Sequence, residues 1–216
     1  MMVVGLVGFI GSGKGTAGDI LTKIGFQKHS FAGPLKDAVS VIFGWDREML
    51  EGETKESRAW REQPDEFWSK VMGRPYTPRE ALQKMGTEAG RNIFHNDLWI
   101  EALQRRIKGN TVITDVRFQN EMQFVKKNGG IIIEIARGTA PDWYDTARLA
   151  NEGSLKDIVA MKQYGIHESE WKWIGQGIDY VIHNDGTIGD LKKNLANVLR
   201  SSFGSDIIDE IIMNGD

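Results

Sequence analysis

The sequence lacks cysteine altogether, and this absence narrows the chemistry that it can support. Without cysteine there are no disulfide bonds, no thiolate zinc sites and no cysteine nucleophile. Histidine is scarce too, and the four histidines, at positions 29, 95, 167 and 183, have no spacing typical of metal ligands. The absence of cysteine is compatible with a reducing compartment, and we expect a cytoplasmic protein.

Long apolar runs and a strong net charge are also missing. The longest apolar runs, such as residues 131–136, are too short to cross a bilayer, so we expect no contact with membranes. Because an apolar run already begins at residue 2, we expect no signal peptide. The net charge of -3 disfavours a nucleic-acid partner, and 40% hydrophobic residues suit one α/β domain with its own core.

The most informative segment is a glycine-rich loop at residues 8–16, between an apolar run and an amphipathic helical pattern. A strand, a glycine-rich loop and a helix in this order form a phosphate-binding P-loop. Backbone N–H groups converge there on phosphate oxygens, and the lysine adds a mobile positive charge. The sequence therefore predicts that ATP binds through the following residues: Gly11, Ser12, Gly13, Lys14, Gly15 and Thr16.

One departure from the general P-loop motif narrows the class. The residue after the lysine is usually Ser or Thr, which binds Mg²⁺, but here it is Gly15, followed by Thr16. This arrangement is similar to that of nucleoside monophosphate kinases rather than GTPases or motor ATPases. The metal must then depend on phosphates, waters and an acidic residue elsewhere in the chain.

The pattern along the chain predicts an α/β fold with a five-stranded, mostly parallel sheet in three layers. Buried strands are expected at residues 2–7, 26–31, 111–115, 131–136 and 178–182, with amphipathic helices between them. Ligands of such sheets bind beyond the carboxyl ends of the strands.

The uneven spacing of the strands predicts one P-loop kinase domain with two insertions on the ligand side. The core comprises residues 1–31, 101–137 and 176–200. An insertion at 32–100 is placed to bind an acceptor, and a lid-like insertion at 138–175, with little apolar periodicity, is placed to cover the phosphates. In the tail, 201–216, Ser205 is a candidate cap of an apolar turn that permits a homodimer.

Two charged residues follow the third predicted strand. Asp115 at its carboxyl end matches the position that orients Mg²⁺, although capping of the next helix is an alternative. Arg117 is placed to bind phosphate oxygens or the transferring phosphoryl group. Glu121 either steadies that guanidinium or is a surface acid of the helix. The catalytic candidates are therefore Lys14, Asp115 and Arg117.

Lys36 follows the second predicted strand, in a segment where Gly33-Pro34 starts a helix. We expect it in the first helical turn, where a cation opposes the helix dipole. That placement suggests a purpose such as binding a monophosphate, and a solvated surface lysine is the alternative.

Several further motifs recur in the bacteriophage-type deoxynucleoside monophosphate kinases, which this sequence resembles over roughly residues 2–200. Besides the P-loop they comprise residues 32–38 (Ala-Gly-Pro-Leu-Lys-Asp-Ala), 50–52 (Leu-Glu-Gly), 82–88 (Leu-Gln-Lys-Met-Gly-Thr-Glu), 96–99 (Asn-Asp-Leu-Trp), 115–121 (Asp-Val-Arg-Phe-Gln-Asn-Glu), 167–170 (His-Glu-Ser-Glu) and 184–187 (Asn-Asp-Gly-Thr). The ordered set is far more specific than the P-loop alone.

The resemblance implies transfer of the γ-phosphoryl group of ATP, with Mg²⁺, to a deoxynucleoside 5′-monophosphate. In a phage, this reaction would supply DNA precursors in the host cytoplasm. Lys36 and Arg58 would contact the acceptor's phosphate, although Lys55 and Arg61 lie close to Arg58 in the sequence. The nucleoside pocket would be lined by Gly86, Thr87, Arg91 and Trp99, with a core role as the alternative for Trp99. Arg137 and Arg148 are lid candidates, and His167 would fix the lid's conformation.

Two other functions compete with this interpretation. Another small-molecule P-loop kinase, similar to adenylate, cytidylate or dephospho-coenzyme-A kinases, would share the loop but not the motifs at 82–99 and 115–121. A nucleotide-dependent switch usually has the Ser/Thr metal ligand that Gly15 replaces here. The bases accepted, the sugar preference and the oligomeric state do not follow from the sequence.

Overall fold

The computed structural model describes residues 1–204, which divide into two compact units. The first, called the sheet unit, comprises Met1–Ser30 and the chain from Lys108 onward. The second, called the helical unit, comprises Phe31–Ile107, whereas the sequence placed the first insertion at 32–100. The predicted apolar turn after Ser205 lies outside the described residues.

The sheet unit contains the predicted five-stranded sheet. Its strands are β1 (Val3–Val7), β2 (Gln27–His29), β3 (Thr111–Ile113), β4 (Ile131–Ala136) and β5 (Tyr180–His183). The strand order is β2-β3-β1-β4-β5, and every neighbouring pair is parallel. In register, Val4 of β1 lies beside Val112 on one side and Ile131 on the other. The carboxyl ends of β1 and β3 therefore lie side by side.

Helices account for most of the remaining chain. They are α1 (Lys14–Thr22), α2 (Ala32–Phe43), α3 (Lys55–Glu62), α4 (Glu66–Met72), α5 (Pro78–Gln83), α6 (Leu98–Gln104), α7 (Gln119–Lys127), α8 (Tyr144–Asn151), α9 (Leu155–Tyr164) and α10 (Ile188–Phe203). A π-helix, Lys84–Phe94, follows α5 directly, and a 3₁₀ turn, Glu168–Glu170, precedes β5. No helix within residues 1–204 is both long enough and apolar enough to span a bilayer.

The sheet is covered on both faces, which gives the expected three layers. On one face, α1 and α10 pack on the strands through a buried apolar cluster that includes Leu21, Leu191, Leu6 and Ile133. On the other face, α7 packs closely on β1, since a Cβ at Gly5 would lie only 3.1 Å from Cγ2 of Val125. Burial of aliphatic side chains on both faces makes β1, β3 and β4 almost uniformly apolar. The edge strands β2 and β5 are mostly half-buried or exposed, so the prediction that they are buried strands was wrong.

The helical unit has its own core, built largely from aromatic side chains. Leu35 and Val39 of α2 pack there with Trp45, Tyr76 and other residues of the unit. Phe43 stacks on Trp45, with ring centroids 4.5 Å apart. Trp45, Trp60 and Trp68 therefore have a structural role in this core.

Two regions to which the sequence analysis assigned no helix are partly helical. Residues 45–73 contain α3 and α4, and the insertion at 138–175 contains α8 and α9. Each of these helices has only seven to ten residues. Such short helices present too few turns for a stripe of apolar residues to stand out.

Candidate functional site

The glycine-rich loop joins β1 to α1, as predicted, and two glycines explain its tight path. Gly8 has φ +138°, and a Cβ there would lie 2.4 Å from the carbonyl oxygen of Ile135. Gly13 has φ +105°, and a Cβ there would lie 2.3 Å from Nδ2 of Asn184. Both positions combine a left-handed backbone with close neighbours, so glycine alone fits.

Lys14, the first residue of α1, folds back over this loop. Its Nζ donates hydrogen bonds to the carbonyl oxygens of Gly8 and Phe9, each at 2.7 Å. Burial and, to a smaller extent, the nearby Arg117 cation lower the pKa of Lys14 to about 8, although the Glu170 and Asp115 carboxylates partly offset both effects. In the part of the chain that the structure describes, the ammonium donates to backbone carbonyls rather than to a carboxylate, and a phosphate group would provide an anionic partner.

Asn184 braces the loop from the segment after β5. Its Nδ2 donates to the carbonyl oxygen of Ser12 at 2.9 Å, which holds the loop against the end of the sheet. The Ser12 hydroxyl is buried and has no hydrogen-bond partner among residues 1–204. Sequence reasoning gave Asn184 no role, since only its inclusion in the 184–187 motif marked it out. It is a structural support of the loop.

Asp115 follows β3 and accepts a hydrogen bond from the Ser30 hydroxyl at 2.8 Å. Ser30 was not predicted, because its role depends on β2 lying beside β3. Within residues 1–204 no cluster of three or more acidic or histidine side chains could hold a metal ion. One carboxylate fits Mg²⁺, which keeps several waters and takes its other ligands from phosphates. Thr16, in the first turn of α1, is exposed and offers a further oxygen donor beside the loop.

Arg117 is held by two acidic residues with different tasks. Its Nη1 donates to Oε1 of Glu170 at 2.8 Å and to the carbonyl oxygen of Ser169 at 3.2 Å. Glu121 is buried, and its Oε2 accepts the backbone N–H groups of Arg117 and Phe118 at 2.7 Å and 3.1 Å. The burial of Glu121 shows that the surface-acid alternative was wrong. Glu121 fixes the backbone around Arg117, and Glu170 binds the guanidinium.

The insertion at 138–175 contacts the phosphate loop through an aromatic cluster. Phe9 makes edge contacts with Trp143 and Trp173, at centroid distances of 5.6 Å and 5.1 Å. The lid arginine candidates differ, since Arg137 is exposed after β4 and Arg148 pairs with Glu152 at 2.8 Å. Their roles stay predictions.

In the helical unit, Lys36 is neither in the first helical turn nor solvated. Because α2 begins at Ala32, Lys36 lies in its second turn. Its Nζ lies 2.5 Å from Oε2 of Glu51, and its side chain is only 12% exposed. Glu51 also pairs with Arg47. Burial alone would raise the pKa of Glu51, but these two cations outweigh burial and lower it.

The two arginines considered for the acceptor phosphate have different surroundings. Arg58 is exposed and donates to the backbone carbonyls of Thr54 and Glu53. Arg61 lies against Gly52, at the end of the Leu-Glu-Gly motif, and is partly buried. Burial beside that motif makes Arg61 a candidate comparable to Arg58, whose own role stays a prediction.

The predicted nucleoside residues lie on the π-helix or against it. Trp99 of α6 is 8% exposed in the core of the helical unit, and its Nε1 donates to the Gly86 carbonyl at 2.8 Å. A Cβ at Gly90 would lie 2.6 Å from the Trp99 ring. This burial supports the core alternative for Trp99. Thr87 and Arg91 are partly exposed on the π-helix, a form that is frequent at functional sites.

Comparison with known proteins finds relatives with similar sequences. A protein of Acanthamoeba polyphaga mimivirus, assigned to the deoxynucleotide monophosphate kinases, is 38% identical, and the match covers 66% of this chain and 78% of the relative. The deoxynucleoside-5′-monophosphate kinase of Escherichia phage T5 is 28% identical, with 58% of this chain and 72% of the relative covered. No protein-family model matches the chain.

Solved structures of other kinases align with most of the chain at low similarity. The shikimate kinase of Aquifex aeolicus has a TM-score of 0.42 at 14% identity, covering 93% of this chain and 97% of that one. The dephospho-CoA kinase of Campylobacter jejuni has a TM-score of 0.34 at 13% identity, covering 92% and 96%. The fold assignment rests on the strand order and the phosphate loop rather than on these values.

Proposed function

This chain belongs to the deoxynucleoside monophosphate kinase family, and we propose that it transfers the γ-phosphoryl group of ATP to a deoxynucleoside 5′-monophosphate. The observation that carries the proposal is the grouping of Lys14, Asp115 and Arg117 at the carboxyl ends of two adjacent strands, β1 and β3. ATP and a nucleoside monophosphate are the substrates, and the product diphosphate would serve DNA synthesis.

The phosphate loop would bind the outer phosphates of ATP. Lys14 would exchange its bonds to the Gly8 and Phe9 carbonyls for phosphate oxygens, and its pKa would rise as it gained an anionic partner. Asp115, oriented by Ser30, would hold Mg²⁺ directly or through water. When bound, the metal neutralises negative charge on the phosphates.

The reaction needs no protein nucleophile and no strong base, because the acceptor phosphate is already anionic at neutral pH. An oxygen of the acceptor's phosphate forms a bond to Pγ while the bond from Pγ to the β–γ bridging oxygen breaks, and ADP leaves. Arg117 would stabilise the charge on the moving group. Lys36 is proposed to bind the acceptor phosphate together with Arg58 or Arg61. Gly86, Thr87 and Arg91 are proposed to bind the nucleoside.

A coupled assay of ADP release tests this function. The purified protein is given ATP with a panel of deoxy- and ribonucleoside monophosphates and with dephospho-coenzyme A, each with and without Mg²⁺. We expect release that depends on a deoxynucleoside monophosphate and on the metal. Release driven by dephospho-coenzyme A, or ATP hydrolysis that no acceptor changes, would reject the proposal.

A further inference from the structure

The contact between Glu170 and Arg117 joins two parts of the sheet unit that are 53 residues apart in the sequence. Glu170 belongs to the 3₁₀ turn of the second insertion, and Arg117 follows β3. The side chains are 25% and 35% exposed, so the pair is accessible to a ligand but only partly solvated. A partly exposed ion pair of this kind contributes little to folding stability.

The turn that carries Glu170 is held firmly on both sides. Before it, His167 Nδ1 accepts the backbone N–H of Ser169 at 3.2 Å. After it, Trp173 is buried, and its Nε1 donates to the Glu170 carbonyl oxygen at 3.0 Å. The Glu170 carboxylate is therefore presented to Arg117 from a fixed backbone, as a positioning group must be.

The ion pair of Glu170 and Arg117 also affects the balance of charge around Lys14. Arg117 and Lys14 are cations whose mutual repulsion is offset by the carboxylates of Glu170 and Asp115. Asp115 is also the candidate ligand of the metal, and a bound metal ion would neutralise the charge of its carboxylate. Glu170 is then the carboxylate that keeps the two cations balanced and close to the phosphate loop.

We propose that Glu170 is a positioning residue for Arg117, which it orients toward the transferring phosphoryl group through a bond to Nη1. The inference rests on the proposed function, because it assigns Arg117 to the phosphoryl group. Glu170 itself does not bind substrate in this account. Without the Glu170 carboxylate, Arg117 would keep the Ser169 carbonyl oxygen as its partner in the turn. The guanidinium would then sample more orientations.

Glu170→Gln tests this role, because it removes the charge with little change in shape. We expect kcat to fall roughly tenfold to a hundredfold, as misplacement of a catalytic group predicts, with KM for the monophosphate unchanged within about twofold. Glu168→Gln is the matched control: it makes the same chemical change in the same turn, on an exposed side chain. We expect it to retain the kcat of the unmodified protein.

A double-mutant cycle separates positioning from a general loss of structure. In an Arg117→Ala background, Glu170→Gln should cause no further loss of kcat, whereas a general disturbance would add its own effect. Glu170→Asp, which keeps the charge but shortens the reach, should recover part of the activity. If Glu170→Gln folds and turns over like the unmodified protein, or if the two losses multiply, the inference is wrong.

A measurement without turnover keeps this inference separate from the proposed function. Arginine side-chain ¹⁵N NMR, with the Arg117 signal identified by its loss in Arg117→Lys, reports how freely the guanidinium rotates. We expect hindered rotation in the unmodified protein and in Glu168→Gln, and faster rotation in Glu170→Gln. Unchanged rotation would overturn the positioning role. Changed rotation in a protein without kinase activity would support the contact and reject the proposed function.

Discussion

The two units hold their candidate phosphate-binding lysines in different ways. In the sheet unit, Lys14 donates to two neutral backbone carbonyls, whereas in the helical unit Lys36 is paired with the carboxylate of Glu51. A phosphate arriving at Lys14 displaces only dipoles, but one arriving at Lys36 must compete with a full negative charge. We infer that the phosphate loop is built for tight binding and the cluster around Lys36 for weaker, exchangeable binding.

The largest effect should come from removing the loop lysine. We expect Lys14→Met to lower kcat roughly a hundredfold to a thousandfold, since an oriented charge at the transferring group is lost. Steady-state kinetics at saturating ATP give the value. Lys23→Met, on the exposed residue after α1, is the matched control and should leave kcat unchanged. Near-normal turnover of the Lys14 variant would contradict its assignment.

The affinity for ATP should depend on pH through Lys14. Because burial lowers the pKa of Lys14 to about 8 in the free protein, the charged form that binds phosphate is lost as the pH rises above that value. ATP binding raises the pKa again, so the apparent Kd should change by no more than about twofold from pH 7 to pH 8 and then rise by up to about tenfold per pH unit. Titration calorimetry at each pH measures it.

Lys14→Arg provides the control for this pH dependence. Arginine stays charged throughout the range, so its Kd for ATP, whatever its absolute value, should not change between pH 7 and pH 9.5. An equally steep rise in this variant would show that another group titrates.

A smaller effect should distinguish the cluster around Lys36. Glu51→Gln removes the carboxylate that competes with the acceptor's phosphate, so KM for the monophosphate should fall about twofold to fivefold, the range for a partly exposed ion pair. Glu48→Gln, on an exposed residue just before it, should leave KM unchanged. A rise in KM would show instead that Glu51 orients Lys36 for binding.

A last effect, on folding stability rather than on kinetics, is expected at the glycines of the loop. Gly13→Ala places a Cβ in a left-handed conformation against Asn184 and should cost about 1–3 kcal/mol in the free energy of unfolding. At Gly15 a Cβ would meet nothing within 4 Å, so Gly15→Ala should be nearly neutral. Urea denaturation compares the two. Equal losses would mean that the loop is looser than its contacts indicate.

What was predictable from the sequence is local. The strand–loop–helix order around Lys14 and the acid after β3 follow from residues that are neighbours in the chain, and both were predicted. The position of Lys36 in its helix was predicted less well, because α2 begins two residues before Pro34 rather than at it. Helix starts depend on the packing of residues such as Phe31, which the local pattern does not contain.

The partners of the candidate catalytic groups could not have been found in this way. Ser30 reaches Asp115 only because β2 and β3 are adjacent, and Glu170 reaches Arg117 from a distant insertion. Trp99 shows the same limit, since its Nε1 bond to the Gly86 carbonyl depends on a π-helix that no periodicity indicated. Contacts between distant segments decide which polar residues act together.

The transfer of label from [γ-³²P]ATP tests the central claim most directly. The protein is incubated with Mg²⁺ and labelled ATP, with and without a deoxynucleoside monophosphate, and the products are separated by chromatography. We predict that the label appears in the deoxynucleoside diphosphate, and that Lys14→Met and Arg117→Ala each slow this transfer by about a hundredfold or more. Label that appears only as inorganic phosphate, at the same rate with and without the acceptor, would contradict the account.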